Sequence, residues 1–195
     1  VAVLHLCKQM GINNVIAFDM GGTTAKVGVI KDGKPKITTE FYADQMVEGE
    51  LIGGYSIKSP VIDIIEIGAG GGSIARLDKA NILKVGPMSA GADPGPACYG
   101  YGGTEPTITD AFAALGFLDS ESFSSVNSSF NPELSRQVIY SRIAQPLGWT
   151  VEKACYAILE VAGANMAEMV RLATVRRGLD PEDFVLVASG GAGPL

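Results

Sequence analysis

The stretch V-I-A-F-D-M-G-G-T-T-A-K-V-G-V-I, residues 15–30, decides how the rest of the chain is interpreted. Its apolar start, residues 15–18, predicts a buried strand that leads into Asp19. Gly21 and Gly22 then remove two side chains, so that a ligand can approach the backbone closely. The residues that follow alternate with a period of two, which indicates a second strand. The glycines therefore lie in a hairpin between two strands.

A hairpin of this kind differs from the two familiar glycine-rich phosphate loops. A Walker A loop and a dinucleotide fingerprint both lead into a helix, whose N-terminus holds the phosphate. Here we expect turn amides, the hydroxyls of Thr23 and Thr24, and a metal ion on Asp19 to hold an anion. The alternative is a plain tight turn with an exposed carboxylate, because glycine pairs are common in turns.

The composition describes an acidic, globular chain. Its 195 residues are 47% hydrophobic and carry a formal net charge of -6, so we expect a substantial core and no nucleic-acid partner. No apolar run is long enough to cross a membrane. His5 is the only histidine, which argues against a Ser-His-Asp triad and a histidine-based zinc site. Three widely spaced cysteines indicate a reducing, cytoplasmic location.

Helices and strands alternate along the predicted chain. Helices are expected at residues 1–10, 111–118, 132–144 and 151–177, and strands at 15–18, 25–30, 36–42, 61–67, 74–77, 82–85 and 184–188. The first three strands form an antiparallel meander in this interpretation. We expect the run 61–67 to be a buried strand, 43–60 to be a loop around a short strand, and 119–131 to be a linker. Thr150 is the expected cap of the longest helix, which Gly178 ends.

Two further glycine turns follow predicted strands. The sequence G-A-G-G-G-S at 68–73 nearly matches the dinucleotide fingerprint, but a hairpin rather than a helix is expected after it. Residues 190–193 follow the last strand, and together with the first hairpin they could clamp a nucleotide from two sides. Between them, residues 86–110 form a long Gly/Pro-rich loop, which is usually a functional feature in a compact domain.

Three single residues each allow two interpretations. Cys98 is either a nucleophile, although no histidine is available to activate it, or a buried thiol. Asp110, like Thr109 before it, is a natural helix N-cap, but it is also a candidate for a metal or substrate contact. Asn165 lies off the polar stripe of its helix, so it is either a satisfied core amide or a site residue.

Five blocks of the sequence resemble the hydantoinase A/5-oxoprolinase family, which includes subunits of acetone and acetophenone carboxylases and belongs to the actin-like ATPase superfamily. The blocks are F-D-M-G-G-T-T-A-K at 18–26, I-G-A-G-G-G-S-I-A at 67–75, V-G-P-M-S-A-G-A-D-P-G-P-A-C-Y-G at 85–100, P-T-I-T-D-A at 106–111 and G-G-A-G-P-L at 190–195. They occur in family order and cover nearly the whole chain.

The resemblance implies an α/β fold: a ribonuclease-H-like (actin-like ATPase) mixed sheet, with an antiparallel meander at its N-terminal side and flanking helices. Residues 1–195 would be one domain, the second half of a nucleotide-binding unit that is truncated at both ends. The expected partners are a missing N-terminal domain with the first phosphate motif, a second (B-type) subunit and a small-molecule substrate. The resemblance also implies an oligomer.

The activity that the resemblance implies is ATP-dependent hydrolysis of a cyclic amide, of the hydantoin or 5-oxoproline type, through phosphorylation of the amide oxygen. A ketone carboxylase subunit and a non-catalytic nucleotide-binding or assembly module are the alternatives. Many members of the family carry Asp where this chain has Lys26, so this chain lacks a second carboxylate at that position of the motif. The candidate residues are catalytic Asp19 and Asp110, Asp19 for Mg²⁺ or Mn²⁺, and Gly21, Gly22, Thr23, Thr24, Lys26, Gly190, Gly191, Ala192 and Gly193 for ATP.

Overall fold

The computed structural model describes residues 2–39, 41–47, 50–118 and 129–193, and for 41–47 and 50–57 it describes the backbone. Its helices are α1 (Ala2–Gln9), α2 (Ile108–Ala114), α3 (Pro132–Ile139) and α4 (Val151–Ala173). Its strands are β1 (Val15–Met20), β2 (Ala25–Lys31), β3 (Lys34–Pro35), β4 (Ile37–Thr38), β5 (Phe41–Val47), β6 (Glu50–Ile57), β7 (Val61–Ile62), β8 (Ile64–Ile67), β9 (Ser73–Leu77), β10 (Leu83–Ser89) and β11 (Val185–Ser189). Within those ranges, no helix has both the length and the apolarity needed to span a bilayer.

A mixed sheet in the strand order β11-β1-β2-β3 organises the fold. β11 runs parallel to β1, whereas β2 is antiparallel to both β1 and β3. The first half of β2 also pairs with β8, again in antiparallel register. Antiparallel strands beside a parallel one, with helices against the sheet, confirm the expected α/β fold class.

The main core lies between one face of this sheet and helix α4. Phe18 and Val27 alternate with exposed or half-buried neighbours on β1 and β2, and they belong to the same buried cluster as Ile158 and Met169 of α4. Burying a side chain of this size contributes about 1.5–3 kcal/mol. On the other face, α1 packs Cys7 into a smaller buried cluster. The period-two pattern of the strands therefore separates two packing surfaces.

Helix α4 begins and continues as the sequence predicts. The Thr150 hydroxyl accepts a hydrogen bond from the Lys153 amide at 3.2 Å. Beyond Ala173 a 3₁₀ turn continues to Arg177, and Gly178 then adopts the left-handed conformation at φ +72°. The polar stripe is wider than expected, because Asn165 is exposed and its amide donates to the Val85 carbonyl at 3.4 Å. The expectation of a core amide at this position is wrong.

The strands after the hairpin differ from the prediction. The expected third strand, 36–42, is divided: its start forms β4, which pairs with β7 outside the main sheet, and its end begins β5. The next strand along the chain to pair with β2 is instead β3, which precedes the predicted range. Proline has no amide to continue a ladder, which accounts for the end of β3 at Pro35. Residues 43–60, expected to be mostly loop, contain β6, which forms an antiparallel hairpin with β5.

The β-branched run 61–67 is neither continuous nor fully buried. Asp63 separates β7 from β8, since its amide donates to the Lys36 carbonyl and its carboxylate binds both terminal nitrogens of Arg177. Ile62 and Ile64 on either side are 41% and 53% exposed. The prediction of a buried strand there is therefore wrong, although β8 itself lies in the main sheet.

Other boundaries shift with local chemistry. Helix α2 begins three residues before the predicted start because Thr107, not Thr109 or Asp110, is its N-cap. After α3 the helical path continues through a π-helical turn, Tyr140–Ala144, and a last turn, Gln145–Leu147. β11 is exposed at Val185 and Leu186, contrary to the expected burial. Most of the predicted linker (119–128) and the end of the last motif (194–195) lie outside the described residues.

Candidate functional site

The first glycine turn closes as a hairpin and leaves polar groups free. The Gly21 amide donates to the Thr24 carbonyl at 3.0 Å, which joins β1 to β2. Within the described part of the chain, the amides of Gly22 and Thr23 donate to no protein acceptor. Both residues are exposed. Two unpaired N–H groups beside the Thr23 hydroxyl form a suitable surface for an anion.

The second glycine turn, residues 68–73, packs directly on this hairpin. The Gly71 amide donates to the Gly21 carbonyl at 3.0 Å, and the Gly72 amide donates to the Gly22 carbonyl at 2.6 Å. A Cβ atom built on Gly70 would lie only 2.6 Å from the carbonyl carbon of Gly22. Because only glycine permits this approach, the two turns are held together by main-chain atoms. No helix follows the second turn, which confirms that it is not a dinucleotide fingerprint.

The third turn, residues 190–193, reaches the same place from β11. The Ala192 amide donates to the Met20 carbonyl at 2.9 Å, and the Ser189 hydroxyl donates to the Phe18 carbonyl at 3.1 Å. Gly190 has φ +87°, and a Cβ atom there would overlap a carboxylate oxygen of Asp19. Asp19 therefore lies between the hairpin and the third turn, where the two candidate halves of a nucleotide site meet.

Thr109 supports the second turn and was not predicted to do so. Its amide and its hydroxyl both donate to the Gly71 carbonyl, at 2.8 and 2.9 Å. Thr109 is 5% exposed. The sequence gives no separate signal for this contact, because a threonine near a helix start is equally typical of an N-cap.

A row of polar residues crosses the sheet at the hairpin end. Ser189, Asp19, Lys26 and Glu66 lie opposite one another in the registers of β11, β1, β2 and β8. The Lys26 ammonium lies 3.3 Å from the Thr24 hydroxyl oxygen and 3.3 Å from a Glu66 carboxylate oxygen. Lys26 is thus attached to the hairpin as well as to β8. The contact of Glu66 with Lys26 was not predicted, since the register between strands is not visible in the sequence.

Asp110 is inaccessible, and its acceptors are occupied. Its side chain is 0% exposed. The carboxylate accepts hydrogen bonds from the amides of Ala97, Cys98 and Thr107 and from the hydroxyls of Thr107 and Ser135. These contacts attach the 93–100 loop to the start of α2 and to α3. A catalytic role for Asp110 stays a prediction, and the contacts favour a structural role.

Cys98 has the properties of a buried thiol rather than a nucleophile. It is 0% exposed. Burial, and next the negative charge of Asp110, raise the pKa of the Cys98 thiol far above its ordinary value. Because the thiolate is the reactive form, this environment suppresses nucleophilic chemistry.

The donor groups at the hairpin fit a divalent ion that arrives with phosphate. Among the described residues, no three His, Cys, Asp or Glu side chains are grouped as a metal site. Asp19 is an exposed carboxylate beside unpaired turn amides. Mg²⁺ is commonly held by one or two protein carboxylates together with substrate phosphates and water. Asp19 and the hairpin therefore suit a metal–nucleotide complex better than a metal ion bound by protein alone.

Comparison with known proteins identifies relatives along the whole chain. The family model described as Hydantoinase/oxoprolinase matches residues 1–195. An uncharacterized protein of Methanocaldococcus jannaschii is 45% identical and covers 100% of this chain. The caprolactamase subunit alpha of Pseudomonas jessenii is 42% identical over 98% of it, and the acetophenone carboxylase gamma subunit of Aromatoleum aromaticum is 37% identical over 97%.

A solved structure shows the same fold. The crystal structure of the ATP-dependent caprolactamase from Pseudomonas jessenii matches with a TM-score of 0.83 at 40% identity, covering 99% of this chain and 27% of that chain. The chain spans only 29%, 26% and 25% of the lengths of the three curated relatives. The similarity therefore concerns one segment of longer proteins.

Proposed function

The chain belongs to the hydantoinase/oxoprolinase family, and on that premise we propose that it is the nucleotide-binding segment of an enzyme that uses ATP to open a cyclic amide. The observation that carries the proposal is the meeting of three glycine turns around Asp19, with the Gly22 and Thr23 amides unpaired. The similarity to an ATP-dependent caprolactamase supports both ATP as the nucleotide and a cyclic amide as the substrate.

The chemical problem is that an amide carbonyl is a poor electrophile. ATP with Mg²⁺ or Mn²⁺ would supply a phosphoryl group to the amide oxygen, with release of ADP, and so make the carbonyl carbon open to attack by water. The C–N bond would then break with the ring nitrogen leaving as an amine, and a second water would release phosphate from the acyl phosphate that remains. In this proposal the Gly22 and Thr23 amides and the Thr23 hydroxyl donate hydrogen bonds to phosphate oxygens. Donors that are fixed before the reaction stabilise developing charge without reorganisation.

Asp19 and Lys26 carry the charges in this assignment. Asp19 would hold the divalent ion at the end of β1, where the ion would neutralise phosphate charge. Lys26 contributes a positive charge beside Thr24, whose hydroxyl already contacts its ammonium. The third turn, Gly190 to Gly193, receives the adenosine part of the nucleotide. Because this chain would be one half of the nucleotide-binding unit, the other phosphate motif would come from a further domain.

The turn 68–73 and the loop 93–100 are candidates for the substrate side, since the first contacts the hairpin and the second is attached through Asp110. A second subunit and an oligomer are proposed because several relatives are named as subunits. A cytoplasmic location is proposed because all three cysteines are unpaired thiols.

Two alternatives have specific support. Similarity to an acetophenone carboxylase subunit favours a ketone carboxylase, in which an enol oxygen would be phosphorylated before carbon dioxide is added. A non-catalytic nucleotide-binding module is the alternative for the 195-residue chain alone, because half of the phosphate clamp would be missing.

ADP release by the full-length protein separates these functions. We expect ATP-dependent ADP release with caprolactam, hydantoin or 5-oxoproline, whereas release with acetophenone plus bicarbonate would identify the carboxylase. Asp19→Ala should lower the rate at least about 100-fold, since it removes the carboxylate that orients the metal ion. Exposed Asp183, which precedes β11 at the end of the sheet away from the hairpin, gives a matched control in Asp183→Ala. Unchanged ADP release by Asp19→Ala would refute the metal assignment.

Isothermal titration of the 195-residue chain tests the non-catalytic alternative. Heat of binding with Mg-ATP at millimolar concentration would show that this segment binds nucleotide independently. The absence of heat would confine nucleotide binding to the complete protein.

A further inference from the structure

Three charged side chains lie opposite one another on adjacent strands beside the hairpin. Asp19 on β1 pairs in register with Lys26 on β2, and Lys26 pairs in register with Glu66 on β8. Residues directly opposite in antiparallel strands have Cβ atoms about 4.5–5.5 Å apart on the same face. The charges therefore alternate negative, positive and negative across three strands.

Lys26 lies between two carboxylates, that of Asp19 on β1 and that of Glu66 on β8. Its ammonium lies 3.3 Å from Glu66, whereas no ion pair between Lys26 and Asp19 occurs among the described residues. The Thr24 hydroxyl accepts a second hydrogen bond from the same ammonium. Since an ammonium has three donors, one remains for another acceptor. Glu66 and Thr24 together direct Lys26 away from Asp19.

The position of the Lys26 ammonium matters because, in the proposed function, the Asp19 carboxylate must be free to bind a metal ion. A lysine directly opposite an aspartate is an obvious partner for it, and an Asp19–Lys26 ion pair would compete with the divalent ion for the carboxylate. We propose that Glu66 is a positioning residue that holds Lys26 off Asp19, so that Asp19 remains available to the metal. This inference rests on the proposed function, in which Asp19 orients a nucleotide-bound divalent ion.

The size of the effect follows from the exposure of the pair. The Lys26 and Glu66 side chains are 45% and 50% exposed, and exposed ion pairs contribute up to about a fivefold change in an equilibrium constant. Glu66→Gln should therefore raise the Mg²⁺ concentration that half-saturates Mg-ATP binding about two- to fivefold. Saturating Mg²⁺ should restore binding, because the metal then displaces the lysine.

A direct measurement avoids any dependence on activity. In a metal-free crystal structure of full-length Glu66→Gln, the Lys26 ammonium should lie within 4 Å of the Asp19 carboxylate. Isothermal titration of Mg²⁺ into protein with ATP should show the weaker metal dependence. Lys26→Met combined with Glu66→Gln should return that dependence to the value of Lys26→Met alone, since no lysine is left to occupy Asp19.

Glu152→Gln breaks another exposed ion pair, with Arg136, and should leave the Mg²⁺ dependence unchanged. An unaltered Mg²⁺ dependence in Glu66→Gln, or a raised one that persists in the double variant, would overturn the inference. A raised Mg²⁺ dependence in the double variant would mean that Glu66 acts on the metal directly and not through Lys26. If Asp19→Ala itself kept the wild-type Mg²⁺ dependence, the proposed function would fail instead.

Discussion

Replacing Gly70 with alanine tests whether contact between the second glycine turn and the hairpin at Gly21 and Gly22 fixes the position of that hairpin. The new Cβ atom would lie 2.6 Å from the Gly22 carbonyl carbon and 2.7 Å from the carbonyl oxygens of Gly21 and Gly22. Ordinary contacts of this kind begin near 3.4 Å. The two turns must therefore separate by about 0.8 Å, and only main-chain atoms are available to move.

Separating the two turns would stretch the two hydrogen bonds that join them. The bond from the Gly72 amide to the Gly22 carbonyl, now 2.6 Å, would lengthen beyond the usual range, and the bond from Gly71 to Gly21 would weaken. Each such bond contributes about 0.5–1.5 kcal/mol, so we expect a loss of about 1–3 kcal/mol. A hairpin displaced by nearly 1 Å should also lower the rate of phosphoryl transfer by about 100-fold.

The assay compares three alanine variants of the full-length protein, by thermal unfolding and by ADP release. Gly163→Ala on α4 meets no atom within 4 Å, and as a helix substitution it should stabilise by about 0.5–1 kcal/mol. Gly22→Ala also meets no protein atom, so it should leave stability nearly unchanged but weaken Mg-ATP binding. Wild-type stability and ADP release in Gly70→Ala would refute the role assigned to this contact.

Three further predictions concern stability of the full-length protein, measured by urea unfolding. Asp110→Asn should cost about 3 kcal/mol, because an amide cannot accept all five hydrogen bonds of the buried carboxylate; a cost below 1 kcal/mol would contradict the structural role. Arg177→Gln should cost about 1–3 kcal/mol, because the Asp63 carboxylate, 14% exposed, loses a two-point partner; an unchanged midpoint would argue against this contact. Burial raises the pKa of Cys155 from 9.0 to about 11. Between pH 9 and 11 only the unfolded chain loses this thiol proton, so the free energy of unfolding should fall by about 1.4 kcal/mol per pH unit, whereas below pH 9 the contribution is complete. Cys155→Ala should remove that part of the slope, and an identical pH profile would exclude the effect.

The parts of the fold that could be predicted are those set by local sequence. Strand β1 follows from its apolar start and strand β2 from alternation over a few residues, and the glycines between them allow the turn. Helix α4 follows from Thr150 at its start and Gly178 after its last 3₁₀ turn. The hairpin after the turn 68–73 was also predictable, because two short apolar segments, 74–77 and 82–85, flank a turn there.

The parts that could not be predicted depend on partners far along the chain. Asp63 interrupts an apolar run because it binds Arg177, which lies 114 residues away in sequence. Glu66 acquires its significance only from its register opposite Lys26. Asp110 has the sequence context of a functional carboxylate, yet its partners come from three separate segments, and only their convergence indicates a structural role.

Because main-chain hydrogen bonds join the three turns, the hairpin depends little on the exposed side chains of the loop that follows β10. An exposed loop position such as Tyr101 can therefore vary widely without moving Asp19. For protein engineering, this separates the residues to keep from those to randomise. A library that preserves the contact glycines and varies the exposed loop positions would retain folded clones while it explores new specificity.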